Sequence, residues 1–417
     1  MAIWNINGGK RIEGASFVQG SKNAVLPMLA ASAASDCVTE LLNVPRLSDV
    51  DTSLRILRHL GCTAEMQGND VYIDSKALSS CSIPCSMMEK MRSSVLFMGA
   101  ILARCGEVRL SKPGGCRLGA RPIDLHLEAM KALGAQISED SCDIVCHSNG
   151  LRGAHITLPF PSVGATENAM IAAIGAQGET VISGAAREPE IVDLQSYLIK
   201  LGAYVRGAGT DTIIISGFER EKHVGHRVSP DRIAASTFLC AAAGCGGDIE
   251  LRGVDPQHFS RLLHFLNAAG CDIISDKRSV RLISDGRLCA VGSVSTEPYP
   301  GFPTDAQPLL MAALLRASGQ TCFFENMFDS RFMHAEQLLR FGADIAVEGR
   351  KATVWGVRSL GGATVSATDL RGGAAMIIAA LMADGCSRVV DAGHIERGYE
   401  SLDNKLRALG AQIYMEI

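Results

Sequence analysis

Six copies of one short pattern limit what this chain can fold into. An amphipathic stretch runs into Gly-Ala or Gly-Cys, and a strand-like alternation follows. The closing pairs are Gly61-Cys62, Gly134-Ala135, Gly202-Ala203, Gly270-Cys271, Gly342-Ala343 and Gly410-Ala411. They recur at intervals of about 70 residues, the mark of a repeated supersecondary unit. Glycine directly after a helical run takes the left-handed conformation that ends a helix, so each glycine is a predicted helix stop. A second helical segment, rich in Ala and small apolar residues, precedes each of these, at 23–34, 92–103, 166–175, 231–243, 305–317 and 369–383. Small side chains allow close helix packing, so these six are predicted to be the buried helices. Short β-like runs such as Val108-Arg109-Leu110 and Thr180-Val181-Ile182 lie between the two helices of a copy. Each copy therefore reads as a β-α-β-α-β-β module in an α/β protein.

Six modules in 417 residues exceed what one core usually holds. The expectation is two domains of three modules, parting within Arg227-Val228-Ser229-Pro230-Asp231. The first domain is placed at 22–229, and the second at 1–21 together with 230–417. The stretch 3–17, which precedes module one, is assigned to the second domain as the missing strand of module six.

Forty Lys and Arg against 44 Asp and Glu give a formal charge of −4, so no general attraction to nucleic acid is expected. An anionic ligand would need a local cluster of cations. Residues 1–9 lack a charged start followed by an apolar run, and the longest apolar runs reach about half of the ~20 residues of a bilayer span. A cytoplasmic protein without a membrane segment is expected. Fourteen cysteines fit a reducing compartment. Cys37, Cys105, Cys240, Cys245 and Cys322 read as small core residues. The pairs Cys81/Cys85 and Cys142/Cys146 have no partner set with zinc-like spacing, so no metal is expected.

Two features depart from the repeat. Module two is the longest between its two closing glycines, Gly106 and Gly134, and its extra residues fall in Lys112-Pro-Gly-Gly-Cys116-Arg117-Leu-Gly-Ala-Arg121-Pro122. Its prolines and glycines rule out a helix or central strand, and insertions in a repeat scaffold commonly carry function. Lys112, Arg117 and Arg121 would stabilise a Cys116 thiolate. Charge also recurs where the buried helices begin: Lys22, Arg92, Asp231-Arg232, Asp305, and Asp369 with Arg371. Aspartate there is ordinary capping. A cation there opposes the helix dipole and costs on the order of 0.3–1 kcal/mol. Such cations at helix N-termini point to an anion site, expected between the two domains.

These residues resemble the UDP-N-acetylglucosamine 1-carboxyvinyltransferases, a family of enolpyruvyl transferases. The likeness runs through Gly20-Ser21-Lys22-Asn23-Ala24, Arg92-Ser93-Ser94, the segment 113–125, Ser162-Val163-Gly164-Ala165-Thr166 and 186–193. It continues through Phe302-Pro303-Thr304-Asp305, Arg331-Phe332-Met333-His334, 367–373 and Arg397-Gly398-Tyr399-Glu400. It covers essentially the whole chain in order. The resemblance implies two inside-out α/β barrel domains of three β-α-β-α-β-β units, with the active site in the cleft between them. It implies transfer of the enolpyruvyl group of phosphoenolpyruvate to the 3′-hydroxyl of UDP-N-acetylglucosamine with release of phosphate, a step of peptidoglycan precursor synthesis that needs no cofactor.

The resemblance also assigns residues. Lys22, Arg121 and Arg397 match positions that hold phosphoenolpyruvate, whose phosphate and carboxylate suit Lys and the planar fork of Arg. Asp305 matches the general base, and Cys116 the general acid. The family cysteine can also form an adduct with phosphoenolpyruvate and is alkylated by fosfomycin. Asn23, Arg92, Arg121, Pro122, Ile123, Asp124, Leu125, Phe160, Pro161, Ser162, Val163, Asp305 and Met327 match UDP-sugar contacts. Arg331 and Arg371 match further active-site arginines. Three places depart from the common pattern: Ser21 replaces Ala, Phe160-Pro161 replaces a more polar pair, and Asp329 replaces Glu. At Phe160 the departure points to contact through backbone or apolar surface. His126 and His334 read as orienting or structural, and the acids of 186–193 as helix-start charge. One competing reading is 3-phosphoshikimate 1-carboxyvinyltransferase, which shares the scaffold and the phosphoenolpyruvate cations but does not need the cysteine loop. Another is a silent UDP-sugar-binding relative, against which the intact Lys22, Cys116, Asp305 and Arg397 argue.

Overall fold

The computed structural model describes residues 3–111, 123–140, 142–219 and 221–416, with the side chain of Phe218 excepted. The Cys116 loop, with Arg121 and Pro122, lies outside the described residues. The chain divides into two compact units: residues 20–111 and 123–229 form an enclosed unit, and residues 3–19 with 230–416 form a discontinuous one.

All six repeat glycines have positive φ, between 84° at Gly342 and 106° at Gly202. A Cβ at those angles would be strained, which is why glycine returns at every copy. The strands after each glycine form six four-stranded sheets of one design. An edge strand pairs parallel with its neighbour, and the other two pairings are antiparallel. In module two, Ser82–Ile83 lies parallel to Glu107–Ser111, then Asp143–His147 and Gln136–Glu139 follow antiparallel.

The buried helices are observed close to the expected places: Lys22–Ala31, Phe97–Cys105 and Val163–Ala173 in the enclosed unit, and Arg232–Cys245, Gln307–Ala313 and Leu370–Met382 in the discontinuous one. In Leu370–Met382 every residue from Arg371 onward is buried. Ala and Gly are frequent along this helix, and small residues of that kind let three helices meet inside each unit while the sheets lie outside them. That is an inside-out α/β arrangement. The amphipathic helices, such as Ser48–His59 and Pro189–Lys200, bury one face and expose the other. The buried apolar residues fall into two separate clusters, one for each unit.

The first residues behave differently from the expectation. The stretch 3–17 is two strands, not one. Ile3–Asn7 sits between Cys386–Val390 and Gln412–Glu416, completing the sheet of module six. Ile12–Phe17 instead pairs parallel with Gly247–Arg252 and completes module four. Between the two strands Gly8 and Gly9 donate their N–H groups to the Gly385 and Leu381 carbonyls, and only glycine fits at position 8, where a Cβ would lie 2.2 Å from the carbonyl oxygen of Ala383. Module one takes its parallel edge from His223–Arg227, which pairs with Val38–Leu42. Cys105, expected in a core, is exposed. It lies at the end of its helix, where the chain turns outward at Gly106. Among the described residues no helix is long and apolar enough to cross a membrane.

Candidate functional site

In the enclosed unit, the predicted site residues gather at the starts of the buried helices. Lys22 and Asn23 open the helix Lys22–Ala31, whose N-cap Ser21 accepts from the Ala24 N–H at 3.3 Å. Serine in place of Ala at 21 thus serves as a cap. Lys22 Nζ lies 3.3 Å from Asp49 Oδ2, and both side chains are largely buried. Arg92 begins a 3-10 turn, Arg92–Leu96, that packs against both Lys22–Ala31 and Val163–Ala173. Ser162 caps Val163–Ala173 by accepting from the Ala165 N–H. The Phe160 carbonyl accepts from the Ser162 N–H at 2.7 Å, and its side chain is exposed, so its apolar surface is what it offers. The Ile123 carbonyl accepts from the His126 and Leu127 N–H groups as helix Asp124–Ala132 begins. Asp124 is exposed at the first position of that helix, and Ile123, Leu125 and Pro161 are partly buried.

His126 lies beneath these helix starts. Asn168 Oδ1 accepts from the Gly99 N–H at 2.8 Å, which fixes the amide so that Nδ2 donates to the Val95 carbonyl and to His126 Nδ1. The imidazole is therefore neutral, with its proton on Nε2. Burial, with the Arg92 charge second, pushes its pKa down to about 4. A Cβ on Gly164 would stand 3.2 Å from the ring, so His126 supports the start of Val163–Ala173 from below. The contacts fit the expectation that it is an orienting or structural residue.

In the discontinuous unit the site residues form a tight charge cluster. Arg331 is 1% exposed. Its Nη2 donates to the Thr304 carbonyl at 2.8 Å and to Asp305 Oδ1 at 3.0 Å, its Nε reaches the same carbonyl at 3.2 Å, and its Nη1 lies 3.8 Å from Asp369 Oδ1. Arg371 approaches from the other side, with Nη2 3.6 Å from Asp305 Oδ2. Its guanidinium stands 5.4 Å from the centre of the Tyr399 ring, and the Tyr399 hydroxyl is bonded to Thr237 at 2.8 Å. Burial pulls the Arg371 pKa down, but Tyr399, Asp305 and Asp231 outweigh it and the net direction is up. Arg371 Nη1 is buried with no hydrogen-bond partner among the described residues. Asp305 keeps 29% of its side chain exposed between the two arginines.

The aspartates at the helix starts separate by role. Asp231 and Asp369 are N-caps, each accepting from two backbone N–H groups. Asp305 is not a cap: helix Gln307–Ala313 begins two residues later behind Ala306, which has no capping bond. Its carboxylate faces the arginines instead. Asp369 is held below the usual carboxylate range, because Arg331, the Gly372 N–H, His334 and the Arg371 N–H outweigh its burial. His334 Nδ1 donates to the Arg331 carbonyl at 3.0 Å. Arg397 closes a 3-10 turn, Ala392–Arg397, packed on the helix Leu370–Met382. Asp329 pairs at the surface with Arg350.

Two further residues carry no motif-like spacing and were not singled out in the sequence. Glu325 is fully buried at the end of strand Gln320–Phe324. It accepts from the Thr304 hydroxyl at 3.0 Å, from the Met327 N–H at 2.8 Å and from the Phe328 N–H at 3.1 Å. Gln19 clamps the turn after Arg397, donating to the Gly398 carbonyl at 3.1 Å and accepting from the Glu400 N–H at 2.8 Å. In the sequence the first shows only as an acidic residue between Phe323-Phe324 and Asn326. Among the described residues, no group of three or more His, Cys, Asp or Glu side chains is placed to hold a metal ion.

The profile of EPSP synthase (3-phosphoshikimate 1-carboxyvinyltransferase) matches residues 6–406. The chain is 45% identical to UDP-N-acetylglucosamine 1-carboxyvinyltransferase 2 of Caldanaerobacter subterraneus subsp. tengcongensis, over 99% of each chain. It is 46% identical to the UDP-N-acetylglucosamine 1-carboxyvinyltransferase of Geotalea uraniireducens, over 98% of each. Among solved structures it is similar to the enolpyruvyl transferase NikO from Streptomyces tendae, with a TM-score of 0.89 at 23% identity, covering 99% of this chain and 98% of that one. EPSP synthase from Acinetobacter baumannii shares the fold with a TM-score of 0.77 at 19% identity, over 100% of both chains. Fold and sequence together define a two-unit carboxyvinyltransferase. The chain belongs to the EPSP synthase family, and within it to the UDP-N-acetylglucosamine 1-carboxyvinyltransferases.

Proposed function

We propose that this chain transfers the enolpyruvyl group of phosphoenolpyruvate to the 3′-hydroxyl of UDP-N-acetylglucosamine, releasing phosphate, in the cytoplasm and on the way to peptidoglycan. The observation that carries this reading is the partly exposed Asp305 carboxylate held between buried Arg331 and Arg371. Such a carboxylate is oriented by its partners, and the part that stays exposed can meet a hydroxyl and take its proton. Arg371 Nη1, buried without a partner among the described residues, has a donor to offer an anionic substrate or the oxygens of a transferring group.

In this reading Asp305 takes the sugar hydroxyl proton, and Cys116 delivers a proton to the methylene carbon of phosphoenolpyruvate. Lys22, Arg121 and Arg397 neutralise its phosphate and carboxylate. Asn23, Arg92, Pro122, Ile123, Asp124, Leu125, Phe160, Pro161, Ser162, Val163 and Met327 bind the UDP-sugar. Met327 has its N–H committed to Glu325, so it serves the sugar as a hydrogen-bond acceptor.

The test is phosphate release from phosphoenolpyruvate with either UDP-N-acetylglucosamine or shikimate 3-phosphate as acceptor. Release with the UDP-sugar alone is expected. Release with shikimate 3-phosphate alone would move the chain to the other branch of its family. Asp305→Asn should lower turnover by at least ~10² while UDP-sugar binding persists, because the interaction lost is made in the transition state. Near-normal turnover would remove Asp305 from the role of base.

A further inference from the structure

We propose that Glu325 is the positioning residue that sets Asp305 and Met327 in register with each other for the UDP-sugar. The inference rests on the function proposed above and goes beyond its residue assignments. Glu325 touches neither a reacting atom nor a substrate in this account. It acts through the two segments that it joins.

Its carboxylate has two ends with different tasks. Oε2 accepts from the Thr304 hydroxyl, and Thr304 is the residue before Asp305. The carbonyl of Thr304 in turn takes two N–H groups of Arg331, whose Nη2 also holds Asp305. Oε1 accepts from the Met327 and Phe328 N–H groups and so shapes the turn that presents Met327. The Phe328 ring lies 5.9 Å from the Arg331 guanidinium, which closes the circuit through side chains. The backbone of Glu325 is fixed as well, since its N–H donates to the Arg350 carbonyl at 2.9 Å. Arg350 extends over the same turn, with Nη1 3.2 Å from the Asn326 carbonyl.

A fully buried carboxylate is costly unless its oxygens are satisfied. An apolar residue at the end of Gln320–Phe324 would avoid that cost, so strand termination alone does not account for a glutamate here. Three donors converging on one carboxylate do account for it, and they come from two segments, Thr304 on one side and Met327 with Phe328 on the other. Hydrogen bonds to a charged acceptor are the stronger kind and tolerate little displacement. A shift of a catalytic carboxylate by about 1 Å can cost on the order of 10²-fold in rate.

Steady-state kinetics of the purified full chain test this with three variants. Glu325→Ala should raise KM for UDP-N-acetylglucosamine at least about tenfold and lower kcat by a similar factor, while KM for phosphoenolpyruvate stays within about twofold. Glu325→Gln should restore most of both, because the amide oxygen can take the two N–H groups and the NH2 can donate to the Thr304 oxygen. Thr304→Val cuts only the Asp305 arm and should lower kcat with little change in the UDP-sugar KM. A merely structural role predicts lost thermal stability with unchanged KM values, and that result would overturn the proposal. So would equal effects on the two KM values. Amide hydrogen exchange gives a readout independent of turnover: protection at Met327 and Phe328 should be lost in Glu325→Ala and kept in Thr304→Val. If the wild-type chain releases no phosphate from either acceptor, the functional reading falls. The exchange pattern then still decides whether Glu325 holds the turn.

Discussion

Two histidines at the candidate site are bases that the fold keeps neutral. His126 is lowered from 6.5 to about 4 by burial and the nearby Arg92 charge. His334 is lowered to about 4 by burial, against the pull of Asp369. In the unfolded chain both would take a proton as pH falls through ~6.5, while in the folded state they resist until pH 4. Stability from this source is therefore full above pH ~6.5 and is lost as pH falls toward 4, at about 1.4 kcal/mol per unit of depression. Thermal melts between pH 7 and 4 should show that decline, and His126→Gln should flatten it by one proton's share. An unchanged slope would mean that His126 titrates alike in both states. Thiol chemistry should be selective in the opposite sense. Burial pushes Cys62, Cys146 and Cys271 up to about 11 and Cys245 to about 12. Exposed Cys85, Cys105, Cys142, Cys289 and Cys386 are the competitors that burial does not remove, and the cations flanking Cys116 in sequence should set it apart from them: fosfomycin should label Cys116, and peptide-mapping spectra should find it on no other cysteine. Residues such as Asp305 and Arg371 were legible because their chemistry is tied to a motif. Glu325 and Gln19 were not, because a residue that acts through contacts distant in sequence has no local pattern to reveal it.

At the scale of the element, the helix Leu370–Met382 does the most positioning. Its N-terminal turn carries the cap Asp369 and the cation Arg371. Gly372 and Gly373 let neighbours approach where any side chain would collide. A Cβ on Gly373 would stand 2.7 Å from Ile395 Cγ1 and 3.0 Å from the Ala367 Cβ. Ile395 belongs to the 3-10 turn that ends in Arg397. Gly373→Ala should push that turn outward, costing roughly 1–3 kcal/mol in denaturant unfolding and raising KM for phosphoenolpyruvate more than KM for the UDP-sugar. A variant as stable and as active as the parent would show that Arg397 is set by something else. Helices of this kind were readable from their small residues, and the repeat glycines fixed where their amphipathic partners stop. At 3–17 the expected strand of module six is found for Ile3–Asn7, while Ile12–Phe17, alike in alternation, goes to module four. The backbone contacts of Gly8 and Gly9 between them are with residues more than 370 positions away, which no local pattern reveals.

At the scale of the whole molecule, the two buried clusters share no residue, so each unit has a core of its own. Scanning calorimetry should therefore give a transition broader than one two-state step, with a van't Hoff enthalpy below the calorimetric one. Equality of the two enthalpies would mean that the units unfold as one. The two-domain organisation was readable because about 70 residues per module, six times over, is more than one core holds. The interlacing of the units was less readable, because strand exchange between modules leaves no trace in composition. That interlacing sets an order for synthesis. The enclosed unit has all its strands once residue 229 has been made. The discontinuous unit cannot finish its last sheet until Gln412–Glu416 emerges to flank Ile3–Asn7. At about 5–20 residues per second, the first strand waits roughly 20–80 s on the ribosome for its partners. During that time it is a strand with two open edges and with Trp4 and Ile6 uncovered, a form in which a nascent chain is exposed to chaperones and to mispairing.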